Sequence, residues 1–130
     1  MTLTIGLRGQ AATQVTADKT AISLGSGDLP VFGTPALVAL IERAAVNAVA
    51  GHLEPTETTV GTVIEVTHLA PTRVGADVRA EAELAAVEGR ALVFTVVAFD
   101  DRQKIGEGRH RRVRVDRNRF LTKVDETPRA

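Results

Sequence analysis

Three side chains in this sequence combine the types that acyl transfer needs: the hydroxyl of Thr34, the carboxylate of Glu42 and the imidazole of His68. A hydroxyl can attack a carbonyl, an imidazole can take a proton from that hydroxyl or from an attacking water, and a carboxylate can orient the imidazole or itself attack; the sequence leaves these three routes open. Thr34 and Glu42 fall on one predicted helix. At about 100° per residue, Glu42 sits at the edge of the apolar stripe, beside Val38 and Val49 and well away from Asn47. A carboxylate there must be paired, protonated or used, because burying an unpaired charge is expensive. His68 alternates with Ile64 and Val66 in a predicted strand, which points its ring toward the helix. Each residue also has a plainer reading, Thr34 as a helix cap and His68 as a satisfied core histidine. On spacing alone both readings stand. A working His68 has to be neutral to accept a proton. Activity should therefore rise through its pKa, near 6.5 when unperturbed and higher with Glu42 ionised beside it.

Gly61 precedes the alternating stretch, either as a bulge or as bare backbone that a ligand can approach. Gly106 and Gly108 share a strand face with His110 and Arg112 and make room for the helix. Arg109, Arg111, Arg112, Arg114, Arg117 and Arg119 form a solvated edge or a cradle for phosphates, since guanidinium forks match phosphate geometry. Without interleaved aromatics they make a poor single-strand nucleic-acid platform. His52, His68 and His110 lack a dense metal-ligand spacing, so no metal is expected. Gly25-Ser26-Gly27 lacks the lysine and length of a phosphate-binding loop, and no Gly-x-Ser-x-Gly nucleophile elbow occurs.

The elements that would position these groups follow from periodicity. Thr34-Pro35 is a helix start, with a hydroxyl to cap an orphan N–H and a proline for the first turn. Leu37, Ile41, Ala44, Ala45 and Ala48 recur at helical spacing, and Gly51 closes the run. The capped N-terminus offers N–H groups and a positive dipole end to an anion or a polarised carbonyl oxygen. Before the helix come the arm Met1–Gly9, a short edge strand over Gln10–Thr16 and the turn-rich Leu24–Pro30. After it, His52–Thr59 is a polar connector and the period changes from 3.6 to 2. Strands are predicted over Val60–Leu69, Val78–Leu84, Ala91–Phe99 and Lys104–Val115, separated by a bend at Ala70–Asp77, a hairpin at Glu88-Gly89 and a turn at Asp100–Gln103. Asp116–Ala130 reads as a helical turn and a loose tail. One helix cannot cross over between four antiparallel strands, so it lies across the sheet: an α+β architecture in which a five-stranded antiparallel sheet wraps one long helix.

The 130 residues carry zero formal net charge, which argues against a dedicated nucleic-acid binder. They suit a single domain spanning 1–130. The absence of cysteine excludes disulfides, thiolate metal sites and cysteine nucleophiles. No signal peptide or membrane-length apolar run is present, so a cytoplasmic protein is expected. Ala91–Phe99 is apolar on both faces and a lone sheet leaves edges exposed, which predicts a homodimer.

Several stretches together resemble the hotdog-fold thioesterases, in the branch similar to fluoroacetyl-coenzyme A thioesterase. They are Gly33-Thr34-Pro35-Ala36-Leu37-Val38-Ala39-Leu40-Ile41-Glu42, Val60-Gly61-Thr62, and Val66-Thr67-His68-Leu69-Ala70-Pro71-Thr72-Arg73-Val74-Gly75, then Val87-Glu88-Gly89-Arg90 and Ile105-Gly106-Glu107-Gly108-Arg109-His110-Arg111-Arg112. The resemblance spans roughly residues 18–124. It implies a hotdog fold and an enzyme that hydrolyses a small acyl-CoA thioester, with Thr34, Glu42 and His68 acting together at a dimer-associated site. It also implies a backbone role for Gly61 at the reacting centre and an orienting role for Arg112. No cofactor is implied beyond the coenzyme A of the substrate. The chain departs from the family before the helix, where a shorter, Gly-rich Leu24–Pro30 stands in place of an aromatic-bearing lid segment, so thioester hydrolysis is expected while fluoroacetyl specificity stays open. A hotdog hydratase or dehydratase and a non-catalytic acyl-CoA-binding dimer are the alternatives. Thr34 and Gly61 favour hydrolysis over the first, and thiol release separates it from the second.

Overall fold

The computed structural model describes Thr2–Pro128; Met1 of the predicted arm and residues 129–130 of the predicted tail lie outside the described residues. Five strands form one antiparallel sheet: β1 (Arg8–Gln14), β2 (Glu57–His68), β3 (Asp77–Glu88), β4 (Ala91–Phe99) and β5 (Lys104–Asp116). Their spatial order is β1-β3-β4-β5-β2. A short helix α1 (Ala21–Leu24) precedes the long helix α2 (Thr34–Val49), and α3 (Arg117–Glu126) ends the chain. Helix α2 packs mainly against β1 and β3, and the sheet curls around it. This is the expected α+β arrangement.

The core is built from small and branched side chains. Leu37, Ile41, Ala44, Ala45 and Ala48 of α2 are buried against Val78, Ala80, Ala82 and Leu84 of β3 and Phe94, Val96 and Ala98 of β4. At about 25 cal/mol per Å², burial of each such Leu or Ile contributes roughly 1.5–3 kcal/mol, and the alanines let helix and sheet come close.

Several boundaries differ from those read off the sequence, each for a local reason. β1 starts at Arg8 and stops at Gln14 because it pairs residue for residue with Asp77–Glu83 of β3. β2 begins at Glu57, inside the predicted polar connector, because Glu57 pairs with Asp116 and Thr59 with Arg114. β3 runs past a bulge between Leu84 and Ala86 to Glu88. The predicted helical turn after residue 116 is a full helix, α3, whose first turn is capped by the Asp116 carboxylate accepting from the Arg119 N–H.

The apolar strand β4 lies between β3 and β5. Its two apolar faces are therefore those of a central strand, and they supply no argument for a partner chain. The sheet edges are β1 and β2. Gly108 also differs from expectation. A Cβ there would lie 1.9 Å from the Glu65 carbonyl oxygen, so this glycine makes room for the backbone of β2 and not for the helix. Gly106 does face the helix, with a notional Cβ 3.1 Å from Leu37.

Candidate active site

Thr34 is not the cap of α2. The capping position belongs to Gly33, which makes no side-chain cap, and Thr34 is the first helical residue with Pro35 behind it. That shift frees the hydroxyl. Thr34 Oγ1 lies 2.8 Å from His68 Nδ1 at the end of β2. In the Nε2–H tautomer the hydroxyl donates to Nδ1, the geometry of a nucleophile paired with its base. His68 Nε2 is buried without a normal hydrogen bond among the described residues. Burial pushes the His68 pKa below its ordinary 6.5, and the Ala70 backbone opposes this through a weak contact. The expected rise of that pKa beside Glu42 is thus corrected: Glu42 is not among the groups acting on it, and desolvation favours the neutral ring.

A pocket of about 340 Å³ opens at this pair, lined by Ala21, Ser26, Val31, Phe32, Gly33, Leu69, Ala70 and Pro71 as well as Thr34 and His68. The loop that leads into the helix is held from below. The Phe32 N–H donates to the Thr72 carbonyl, and the buried Thr72 hydroxyl donates to Asp100 at 2.9 Å. Burial works against ionising Asp100, but the N–H groups of Arg102 and Gln103 and the Thr72 hydroxyl outweigh it and lower the pKa. The helix N-terminus offers fewer donors than the sequence suggested. Pro35 has no N–H, the Gly33 N–H donates to Lys19, and the Ala36 N–H donates back to Gly33. The Thr34 N–H is left without a partner among the described residues.

Glu42 lies two helical turns further along α2, in a second cluster. Its Oε2 accepts from Arg112 Nη1 at 3.1 Å and lies 3.9 Å from His110 Nε2. The Arg112 guanidinium is buried, and its remaining donors are used: Nε to the Thr59 hydroxyl at 2.9 Å and Nη2 to the Thr59 carbonyl at 3.0 Å. Gly61 completes the cluster. A Cβ on it would lie 2.6 Å from Glu42 Oε2, 3.2 Å from Arg112 Nη1 and 3.3 Å from the His110 ring. The carboxylate thus rests on bare backbone, at a bulge between Gly61 and Val63. The bulge reading of Gly61 is realised, and what its bare backbone admits in this structure is the Glu42 carboxylate.

Within the chain, then, the structure joins Thr34 to His68, and Glu42 to Gly61 and Arg112, but it does not put the Glu42 carboxylate on His68. His110 and Thr59 were missed as site residues. The signal available was position, since Gly61, His110 and Arg112 all fall on the inner face of the β2–β5 pair. The other arginines of the predicted cluster disperse. Arg109 and Arg111 are exposed, Arg114 lies 3.4 Å from Glu57, and Arg117 and Arg119 are on α3. A larger concavity of about 700 Å³ lies on the outer face of the sheet, where Arg8 pairs with Glu83 at 2.6 Å, and it contains no nucleophile–base pair. Among the described residues no helix is long and apolar enough to cross a membrane.

Comparison with known proteins identifies the family and the fold. Residues 15–118 match the family described as fluoroacetyl-CoA-specific thioesterase. The fluoroacetyl-CoA thioesterase of Streptantibioticus cattleyicolor is 46% identical over 99 residues, covering 75% of this chain and 71% of that protein. The solved structure of fluoroacetyl-CoA thioesterase FlK superimposes with a TM-score of 0.90 at 38% identity, covering 98% of this chain and 100% of that one. A hot-dog-like protein from Thermanaerovibrio acidaminovorans superimposes with a TM-score of 0.85 at 25% identity, covering 96% and 94%.

Proposed function

The chain belongs to the fluoroacetyl-CoA-specific thioesterase family and hydrolyses an acyl-CoA thioester to the free acid and coenzyme A, and from that premise we propose how its residues divide the work. Thr34 is the nucleophile and His68 its general base. The observation that carries this is the 2.8 Å contact between Thr34 Oγ1 and His68 Nδ1 at the mouth of a pocket. In the first step Oγ1 bonds to the thioester carbonyl carbon while its proton passes to Nδ1. The C–S bond then breaks and the coenzyme A sulfur leaves with that proton. In the second step His68 takes a proton from water as the water oxygen attacks the threonyl ester, and Thr34 regains its hydrogen as the acid departs. The lone Thr34 N–H points the oxyanion role to the same residue, a contribution of about 3–4 kcal/mol per good donor.

The active unit is a homodimer. β2 is an edge strand with exposed Val63 and Ile64, and α2 covers mainly the β1–β3 half of the sheet. A free strand edge of twelve residues that exposes Val63 and Ile64 invites pairing with a second copy. Antiparallel pairing about a two-fold axis between Ile64 and Glu65 sets His68 opposite the partner subunit's Gly61. Thr34 and His68 of one protomer then face the partner's Glu42, which is half-exposed and held by the partner's Arg112. In that arrangement Glu42 orients the attacking water, and the exposed Gly61 backbone lies at the reacting carbonyl. The substrate is a coenzyme A thioester with a small acyl group, and a cytoplasmic location follows from that substrate.

Two measurements test the reading together. Purified protein is assayed for thiol release across a panel of acyl-CoA thioesters, and its mass in solution is determined. Thiol release with a dimeric mass is expected. A folded monomer with full turnover would overturn the shared site, and binding without thiol release would overturn the catalytic role of Thr34.

A further inference from the structure

We propose that His110 is a positioning residue for the thioesterase: its neutral ring, protonated at Nδ1, accepts a hydrogen bond from Arg112 and so holds the Arg112–Glu42 pair against Gly61. The inference rests on reading Glu42 and Gly61 as one half of the active site.

The two ring nitrogens have neighbours that leave one tautomer. Nδ1 lies 2.7 Å from the Val63 carbonyl oxygen, which can only accept. Nε2 lies 3.1 Å from Arg112 Nη1, which can only donate. The ring is 2% exposed and stacks on Phe94 of β4, with centroids 6.2 Å apart and planes 29° apart. It therefore cannot rotate to exchange these partners without breaking the packing. The charged groups that face it are Arg112 on its own strand and Glu42 on α2; β2 presents the uncharged Val63 carbonyl and β4 the Phe94 ring. Arg43 adds positive charge around Arg112. Burial, first of all, and Arg112 both keep the imidazole neutral against the pull of Val63 and Glu42.

The consequence falls on Arg112. Its Nε and Nη2 are fixed to Thr59, but Nη1 is shared between Glu42 and His110. The His110 lone pair gives Nη1 a second anchor that does not move with the helix. Val63 closes the bulge that starts at Gly61, so one imidazole ties the guanidinium and the bulge together. A proton on Nε2 would set two donors face to face and release Nη1.

Three substitutions separate this role from core filling. His110→Gln keeps an acceptor where Nε2 stands, His110→Asn keeps only a donor near Nδ1, and His110→Phe keeps the ring alone. The expected result is a kcat within about fivefold of wild type for Gln, and about 10–100-fold lower for Asn and Phe with KM within about threefold, the scale of a misplaced catalytic group. Thermal midpoints are measured on the same samples, and core filling would rank Phe above Gln. Nitrogen-15 NMR of the wild-type protein at neutral pH should show His110 protonated at Nδ1 and bare at Nε2. A proton at Nε2, or folded Asn and Phe variants with wild-type kcat, overturns the proposal. Should those variants fail to fold, the wild-type tautomer decides it. Normal turnover in Glu42→Gln overturns it through the half-site reading, and the NMR result then separates the two failures.

Discussion

Replacing Thr34 by valine removes one hydroxyl and little else. Valine keeps the volume and branching of threonine, the position is exposed, and Gly33 supplies the helix cap. The structure gives that hydroxyl one hydrogen bond, the 2.8 Å contact to His68 Nδ1. Its loss should cost about 0.5–1.5 kcal/mol of stability. For a chain of this length that is roughly 2–6 °C in thermal midpoint. The catalytic loss should be far larger. A nucleophile–base pair without its nucleophile should lose at least about 10³-fold in turnover, or about 4 kcal/mol of activation free energy. Thr34→Ser restores the hydroxyl and should recover turnover to within about tenfold, because the same contact to Nδ1 can form. Thiol release and thermal melting on the same preparations measure both quantities, and mass spectrometry of the wild type under excess substrate should reveal an acylated Thr34. Valine at position 34 that turns over within tenfold of wild type, with the protein folded, refutes the nucleophile and leaves water activated by His68 as the route.

Gly61→Ala should act on the other half of the site. The new Cβ forces the Glu42 carboxylate back by about 0.8 Å to an ordinary contact, stretching its bond to Arg112, so kcat should fall about 10–100-fold; unchanged kcat would show that the Glu42 position is immaterial. Because burial lowers the His68 pKa, the acid limb of kcat/KM should have its midpoint below 6.5, and a midpoint above 6.5 would contradict the buried, neutral base. Stability should also fall in two stages on acidification. His68 and His110 both have depressed pKa values, so below about 6.5 the unfolded chain binds protons that the fold refuses, and stability drops until their folded pKa values are reached. Asp100 is also depressed but is a carboxylate, so its contribution is complete above about 3.9 and is lost as pH falls through its folded pKa. Chemical denaturation from pH 8 to pH 3 checks this, and Asp100→Asn should shrink the second stage, leaving what Asp18, Glu54 and Asp101 contribute through their own lowered pKa values.

What the sequence could and could not disclose depends on whether a residue's role is local. The faces of α2 and β5, the bulge at Gly61 and the inward ring of His68 follow from periods of 3.6 and 2, which each element sets for itself. Thr34 was misplaced by a single residue because a Gly-Thr-Pro start satisfies two cap assignments, and only the Lys19–Gly33 and Thr72–Phe32 backbone bonds choose between them. The partner of Glu42 was less accessible still. Arg112 is 70 residues away in the chain, and it reaches Glu42 only because β5 lies between β4 and β2 in the sheet. Periodicity marked Glu42 as a carboxylate in need of a partner but offered His68, the inward base nearest in sequence. The fold satisfies it otherwise. A buried guanidinium takes the carboxylate, and His68 gets a hydroxyl from one end of α2 while the carboxylate stays at the middle. That separation is what motivates the proposed dimer. A helix of sixteen residues cannot bend Glu42 back onto the imidazole beside Thr34, whereas the proposed two-fold axis between Ile64 and Glu65 would bring the partner subunit's Glu42 to it without distorting either chain.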